Sequence, residues 1–361
     1  MVANINASTI INQFDLDLPR NEYRFGLPEA ANRWITHTLF RRNGKKNLPI
    51  LYVMLNVLLT AVPSAIALYC LEGNIPNLLL IPLGGAYVYF LLTIYARSFI
   101  LGLHYSTHVP MFNKQWKGLK HIGSNLLCMF FGIPPLMYYA HHIAMHHSEN
   151  NISPYDLSST MPYQRDSKWE HFKYMLRFVV AIWVELPYVL IQKNRYKVAL
   201  NCILGELFFF ISIIYLFTIS PIATTFVFIL PTIVVSFALM QGNWKQHIFV
   251  DPDDPTNNYK STFTCINTLS NSLNFNDGYH IEHHENPAMP WYRLPEYFQN
   301  QMINYAKHDA FIFTGIGSTQ VGRMVLNGQL DELADHYVNV GQKSRTRAEL
   351  IAEFERRLQK M

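Results

Sequence analysis

Charge is scarce in this chain, and cysteine is scarcer. Only 15% of the 361 residues are Asp, Glu, Lys or Arg, and the shortage is clumped rather than spread. From Ile50 to Leu71 there is no charge at all, over a length that crosses the roughly 30 Å hydrocarbon layer of a bilayer. No Lys/Arg run with interleaved aromatics offers a nucleic-acid face; the formal net charge of +4 beside apolar runs suits an anionic membrane surface instead. The four cysteines, Cys70, Cys128, Cys202 and Cys265, form no CxxC pair and read as reduced core residues. The opening residues lack both a basic n-region and an apolar h-region, so residues 1–47 are expected to be a cytosolic N-terminal segment rather than a secretory leader.

Four apolar runs are long enough to span, near 50–71, 78–100, 198–218 and 222–240. Arg41-Arg42-Asn43-Gly44-Lys45-Lys46 precedes the first, and Gln192-Lys193-Asn194-Arg195-Tyr196-Lys197 precedes the third. Such basic flanks stay in the cytoplasm. Two weaker patches lie between the second and third runs. Ile122 to Tyr139 is broken by Gly132, Pro134 and Pro135 and reads as a re-entrant or interface-lying helix. Phe172 to Ile191 holds Arg177, Glu185 and Pro187 and belongs at the headgroup level. Glu206, inside the third run, is costly in hydrocarbon and should face other helices or a polar cavity. Four crossings leave both chain ends on the cytoplasmic side. Residues 48–295 are expected to form the membrane catalytic domain, and 296–361 a cytosolic helical tail with helical spacing from Ser344 to Lys360.

Against this background one residue type is abundant and patterned. His141, His142, His146 and His147 put four imidazoles in one short stretch, more than packing explains, because buried ring nitrogens need partners. On an α-helix His142 and His146 share a face, with His147 able to face a second centre. His104 and His108 repeat the i, i+4 spacing; His280, His283 and His284 lie on one stripe; Asn243 and His247 place an amide and an imidazole one turn apart. Setting His141 aside, nine imidazoles and one amide exceed what a single metal ion uses. Two irons, each with four or five nitrogens and an open position, would use the set. Asp156, Asp251, Glu282 and Glu285 are candidates to accept the second ring N–H of a ligand. His37, His121, His171, His308 and His336 stand singly and are left out.

The boxes His104-xxx-His108, His142-xxx-His146-His147 and His280-xx-His283-His284, together with Asn243-xxx-His247, resemble the integral-membrane fatty acid desaturases and their hydroxylase relatives. The resemblance runs from the first span to Pro295. It implies an all-α integral membrane fold of four transmembrane helices under a cytosolic helical cap that carries the histidine boxes. It also implies a di-iron centre ligated by His104, His108, His142, His146, His147, His247, His280, His283 and His284, with Asn243 holding a water. O2 and two external electrons would remove hydrogen from an unactivated bond of a lipid acyl substrate. No His-Pro-Gly-Gly element of a fused haem domain is present, so electrons would come from a separate donor of ferredoxin, rubredoxin or cytochrome b5 type. The first box is one residue shorter than in stearoyl-type members and the second one longer. His141 is surplus to the pattern.

Desaturation is the first expectation. Hydroxylation, or decarboxylation to a terminal alkene, uses the same scaffold. From another class, a zinc-dependent membrane hydrolase would need only three histidines and a water, and a non-catalytic metal-binding membrane protein would need no electron donor at all.

Overall fold

The computed structural model describes residues 27–41, 44–341 and 343–361. Most of the proposed N-terminal segment, and Arg42 and Asn43 of its basic flank, lie outside these residues. Helix dominates. α1 covers Glu29–Thr38, and five helices are long and apolar enough to cross a membrane: α2 Gly44–Leu71, α3 Asn77–His108, α4 Lys168–Gln192, α5 Tyr196–Ile219 and α6 Pro221–Gln246. Four of these contain the expected spans. α4 is the patch assigned from sequence to the interface, and it forms a continuous helix around Pro187. Ile122–Tyr139 is not the single helix expected. It breaks into a π-helical turn at Ile122–Leu126 and a 3-10 turn at Leu127–Phe131, then stops where Gly132 takes the left-handed conformation ahead of Pro134 and Pro135.

The chain divides into two compact units, one from Asn21–Ala144 and Trp183–Phe237, the other from Met145–Ile182 and Ala238–Met361. In the first unit, spans pack by letting small residues meet bulky or backbone groups, the usual device where lipid removes the hydrophobic drive between helices. Gly205 of α5 lies so close to the Pro135 carbonyl that a Cβ would sit 1.9 Å from its oxygen, and a Cβ on Gly132 would sit 2.1 Å from Thr232 Cα. Phe99 and Phe131 stack at 4.2 Å. At the Ser220-Pro221 turn the start of α6 has free backbone donors, and the Glu72 carboxylate accepts from Ile222 N at 2.9 Å and Ala223 N at 2.8 Å. That satisfies orphan amides and sets an anion at the positive helix end.

The second unit carries the departure from an all-α expectation. β1 Phe263–Ile266 and β2 Phe311–Thr314 pair in parallel, Phe263 opposite Phe311. Phe-Thr-Cys-Ile and Phe-Ile-Phe-Thr are aromatic and β-branched, and all but Thr314 are buried. α7 is His280–Glu285. α8, Arg347–Leu358, opens with a capping box in which Thr346 and Glu349 exchange backbone donors. Phe354 of α8 packs on Phe249, Phe311 and Phe313, and the Arg357 guanidinium lies 4.1 Å over the Phe311 ring.

Close approach at glycine makes a test. Gly205→Ala and Gly132→Ala should each lower the detergent melting temperature, costing about 1–3 kcal/mol through overpacking. Gly85→Ala, where a Cβ meets nothing within 4 Å, should not. Equal tolerance at all three positions would contradict the packing described.

Candidate metal centre

In the first unit, the end of α3 carries His104 and His108, and the ring of His142 comes to them. His104 lies 4.3 Å from His142 and 5.2 Å from His108 between ring centroids. His108 and His142 bring their Nε2 atoms to 2.9 Å. These three offer ligand atoms all within 4.8 Å of one another, as a metal ion requires. Tyr138 packs 5.4 Å from His142.

Six more imidazoles meet in the second unit. His146, His247 and His284 form a compact, buried set of the same kind. His280 brings its Nε2 to 3.3 Å from that of His247, and His283 and His147 oppose theirs at 3.0 Å. The His147 and His284 rings stack at 4.9 Å. All nine histidines singled out in the sequence therefore fall into one of these gatherings. His141 and the five single histidines fall outside both groups of converging ligand atoms. One expectation fails: His142 and His146 do not act from a shared face but join different groups. The cause is local, because Tyr139–His146 is π-helical. Bonding from i to i+5 widens the turn, so residues four apart no longer stack.

What holds the rings is a buried polar network. Asp156 is 3% exposed. Its Oδ2 accepts from His146 Nδ1 at 2.7 Å and from Asn151 N at 2.9 Å, its Oδ1 from Ser158 N at 2.8 Å and Ser158 Oγ at 2.6 Å. Burial alone would raise this carboxyl, but the His146 ring and the Ser158 donors prevail and bring it down to about 2. Fixing the proton on His146 Nδ1 leaves Nε2 as a lone pair, the tautomer a metal needs. His247 is set the same way. Its Nδ1 donates to the Ser261 carbonyl at 3.0 Å, and burial, with the neighbouring His146, pushes its pKa down to about 3. The ring is neutral. Thr160 Oγ1 donates to the His247 carbonyl at 2.6 Å, and Asn151 Oδ1 accepts from Thr160 N at 2.9 Å, so one set of bonds orients both rings.

The other three carboxylates behave differently. Glu282, buried in α7 beside the histidines, accepts from Thr264 at 2.9 Å and from Tyr305, not from an imidazole. Burial raises it to about 7 against those donors. Asp251 binds Arg356, Arg357 and Lys260, and Glu285 takes Asn258. Asn243 gives its Nδ2 hydrogens to the Ser158 carbonyl at 2.7 Å and the Tyr174 hydroxyl at 2.8 Å. Ser158, Asn151, Thr160 and Ser261 had no sequence signal, because a hydroxyl or carbonyl partner has no required spacing.

An all-imidazole donor set, backed by a carboxylate and a carbonyl, fits a divalent transition metal that imidazole suits, and lacks the thiolates of structural zinc. The sequence model of the fatty acid desaturase family matches residues 78–315, a stretch that contains every one of these histidines. The chain belongs to the fatty acid desaturase family. No curated protein and no solved structure matches it. Membership makes it an oxidoreductase-type membrane enzyme with a lipid acyl substrate.

Asp156→Asn should weaken metal binding roughly 10–100-fold, the usual cost of losing a ligand's carboxylate partner. Glu282→Gln, whose carboxylate touches no histidine, should weaken it far less. Competition titration with a chelating dye measures both, and equal losses would contradict the network.

Proposed function

We propose that this protein is an O2-dependent fatty acyl desaturase that introduces a double bond into a lipid acyl chain, using two iron ions held by His104, His108, His142, His146, His147, His247, His280, His283 and His284. The observation that carries the reading is the convergence of ligand nitrogens from His104, His108 and His142, and from His146, His247 and His284, inside the family's matched region. Two irons, with O2 and two electrons from a separate donor protein of ferredoxin, rubredoxin or cytochrome b5 type, supply the oxidising power to take hydrogen from an unactivated C–H bond. The chain's own part is to orient the rings. Asp156 holds the His146 proton and the Ser261 carbonyl holds that of His247. The Asn243 amide would hold a water.

The membrane arrangement follows from a parity constraint. His146 and His247 meet in one group, so the chain between them crosses the bilayer an even number of times. Three long apolar helices, α4, α5 and α6, lie in that interval. One therefore does not cross. α4 is the least apolar of them and carries Arg177, Glu185 and Pro187. Its exposed stripe of Trp169, Phe172, Leu176, Val180, Val184 and Tyr188 suits a helix lying at headgroup depth with one face in lipid. Four crossings then place Lys45-Lys46 and Lys193-Arg195-Lys197 on one side, the cytoplasmic one, with the histidines and the C-terminus.

Two experiments test these statements. Feeding labelled fatty acids to a host expressing the chain should yield acyl groups lacking two hydrogens by mass spectrometry, and His146→Ala or His283→Ala should abolish them. A gain of one oxygen instead would make the enzyme a hydroxylase. Single cysteines placed at Asn74, Asn194 and Ser220 in a background without the native four should label from outside at 74 and 220 and from inside at 194. Outside labelling at 194 would overturn the assignment of α4.

A further inference from the structure

We infer that Arg165 is a positioning residue for the metal group of the second unit, acting through the backbone on either side of His247. This rests on the reading of that group as an iron site. Arg165 is fully buried, and no carboxylate pairs with it among the described residues. Every one of its five side-chain donors goes instead to a backbone carbonyl: Nε to Ile248 at 3.0 Å, Nη1 to Thr160 and Met161 at 3.4 Å each, and Nη2 to Arg357 at 3.0 Å and Gln359 at 2.6 Å. Burying a cation is expensive, and the neighbouring Asp166 charge opposes that cost without overcoming it; guanidinium is the least strongly hydrated of the cationic groups and presents its donors in a fixed fork. That fork joins three distant segments in one plane, which no neutral side chain can do.

The three segments converge on one ligand. Ile248 follows His247 directly. Thr160 is the residue whose hydroxyl holds the His247 carbonyl at 2.6 Å and whose amide is tied through Asn151 to Asp156, the partner of His146. The third segment closes the clamp from outside, Val250 N donating to the Arg357 carbonyl and Arg165 N to that of Leu358, both at 3.0 Å. Arg357 to Gln359 lie beyond the stretch that matches the family, which ends at residue 315. The end of α8 thus braces a ligand that lies within the matched region, and Arg165 is the junction. Removing its side chain takes five hydrogen bonds from the three segments and strips the Ile248 carbonyl, next to His247, of its donor.

Arg165→Met and Arg165→Lys test this in detergent-purified full-length protein, with helical content followed by circular dichroism, iron per chain counted, and release to a ferrous chelator timed. Wild-type protein should hold two irons. Arg165→Met should keep its helical content and retain one, while Arg165→Lys, with fewer donors but the same charge, should hold two and release only one of them roughly 10–100 times faster than wild type. Two irons released at wild-type rates from both variants would overturn the role of Arg165. So would an Arg165→Lys protein that releases both irons faster in equal measure, since that marks general loosening and not the positioning of one group. Wild-type protein holding no iron would instead sink the iron reading on which this inference stands, a result distinguishable from both.

Discussion

The bond from His146 Nδ1 to the buried Asp156 carboxylate is the constraint that the rest of the second unit serves. A ring left to rotate or to switch tautomer presents a proton as often as a lone pair, and a metal can use only the latter. At His146 the acceptor that fixes the ring is an ionised carboxylate, and an ionised carboxylate at 3% exposure needs donors of its own. Ser158 and Asn151 provide them. Their carbonyls and side chains in turn carry Asn243, Tyr174, Thr160 and, through Thr160, His247. His146, the Ser158 and Asn151 amides and the Ser158 hydroxyl are thus all tied to one carboxylate.

A second constraint comes from the bilayer. Spanning helices cannot carry the polar network, since hydrocarbon gives unpaired polar groups no partner, so ligands sit at helix ends and in the segments between them. His104 and His108 close α3, His247 follows α6, and α7 supplies the last three. In the proposed topology the helix that does not cross is α4, whose Arg177, Glu185 and Pro187 make it the poorest span of the three.

Much of this was legible in the sequence, for identifiable reasons. Imidazoles that converge recur in short, spaced boxes, so the nine histidines were named from pattern. Long uncharged runs stand out, so four of the five long apolar helices were anticipated. Asp156 was among four carboxylates proposed to steady a ligand and is the one of these that bonds a histidine among the described residues; Asp251 and Glu282 carry the same chemistry in sequence but are claimed by Arg356 and Arg357, and by Tyr305 and Thr264. Competition for a carboxylate is a three-dimensional fact. The π-helical turn at Tyr139–His146, which sends His142 and His146 to different groups, has no compositional mark. Nor has Arg165, since a guanidinium that binds only carbonyls needs no partner residue type. The small parallel sheet escaped because its two strands are four residues long and separated by 44 others.

The account stands on imidazole nitrogens holding iron, and iron K-edge X-ray absorption on anaerobically purified wild-type protein, with the metal counted on the same sample, addresses that most directly. The prediction is about two irons per chain in a shell dominated by nitrogen and showing the outer scattering of imidazole rings. One zinc per chain, no stoichiometric metal, or iron in an oxygen-dominated shell would contradict it.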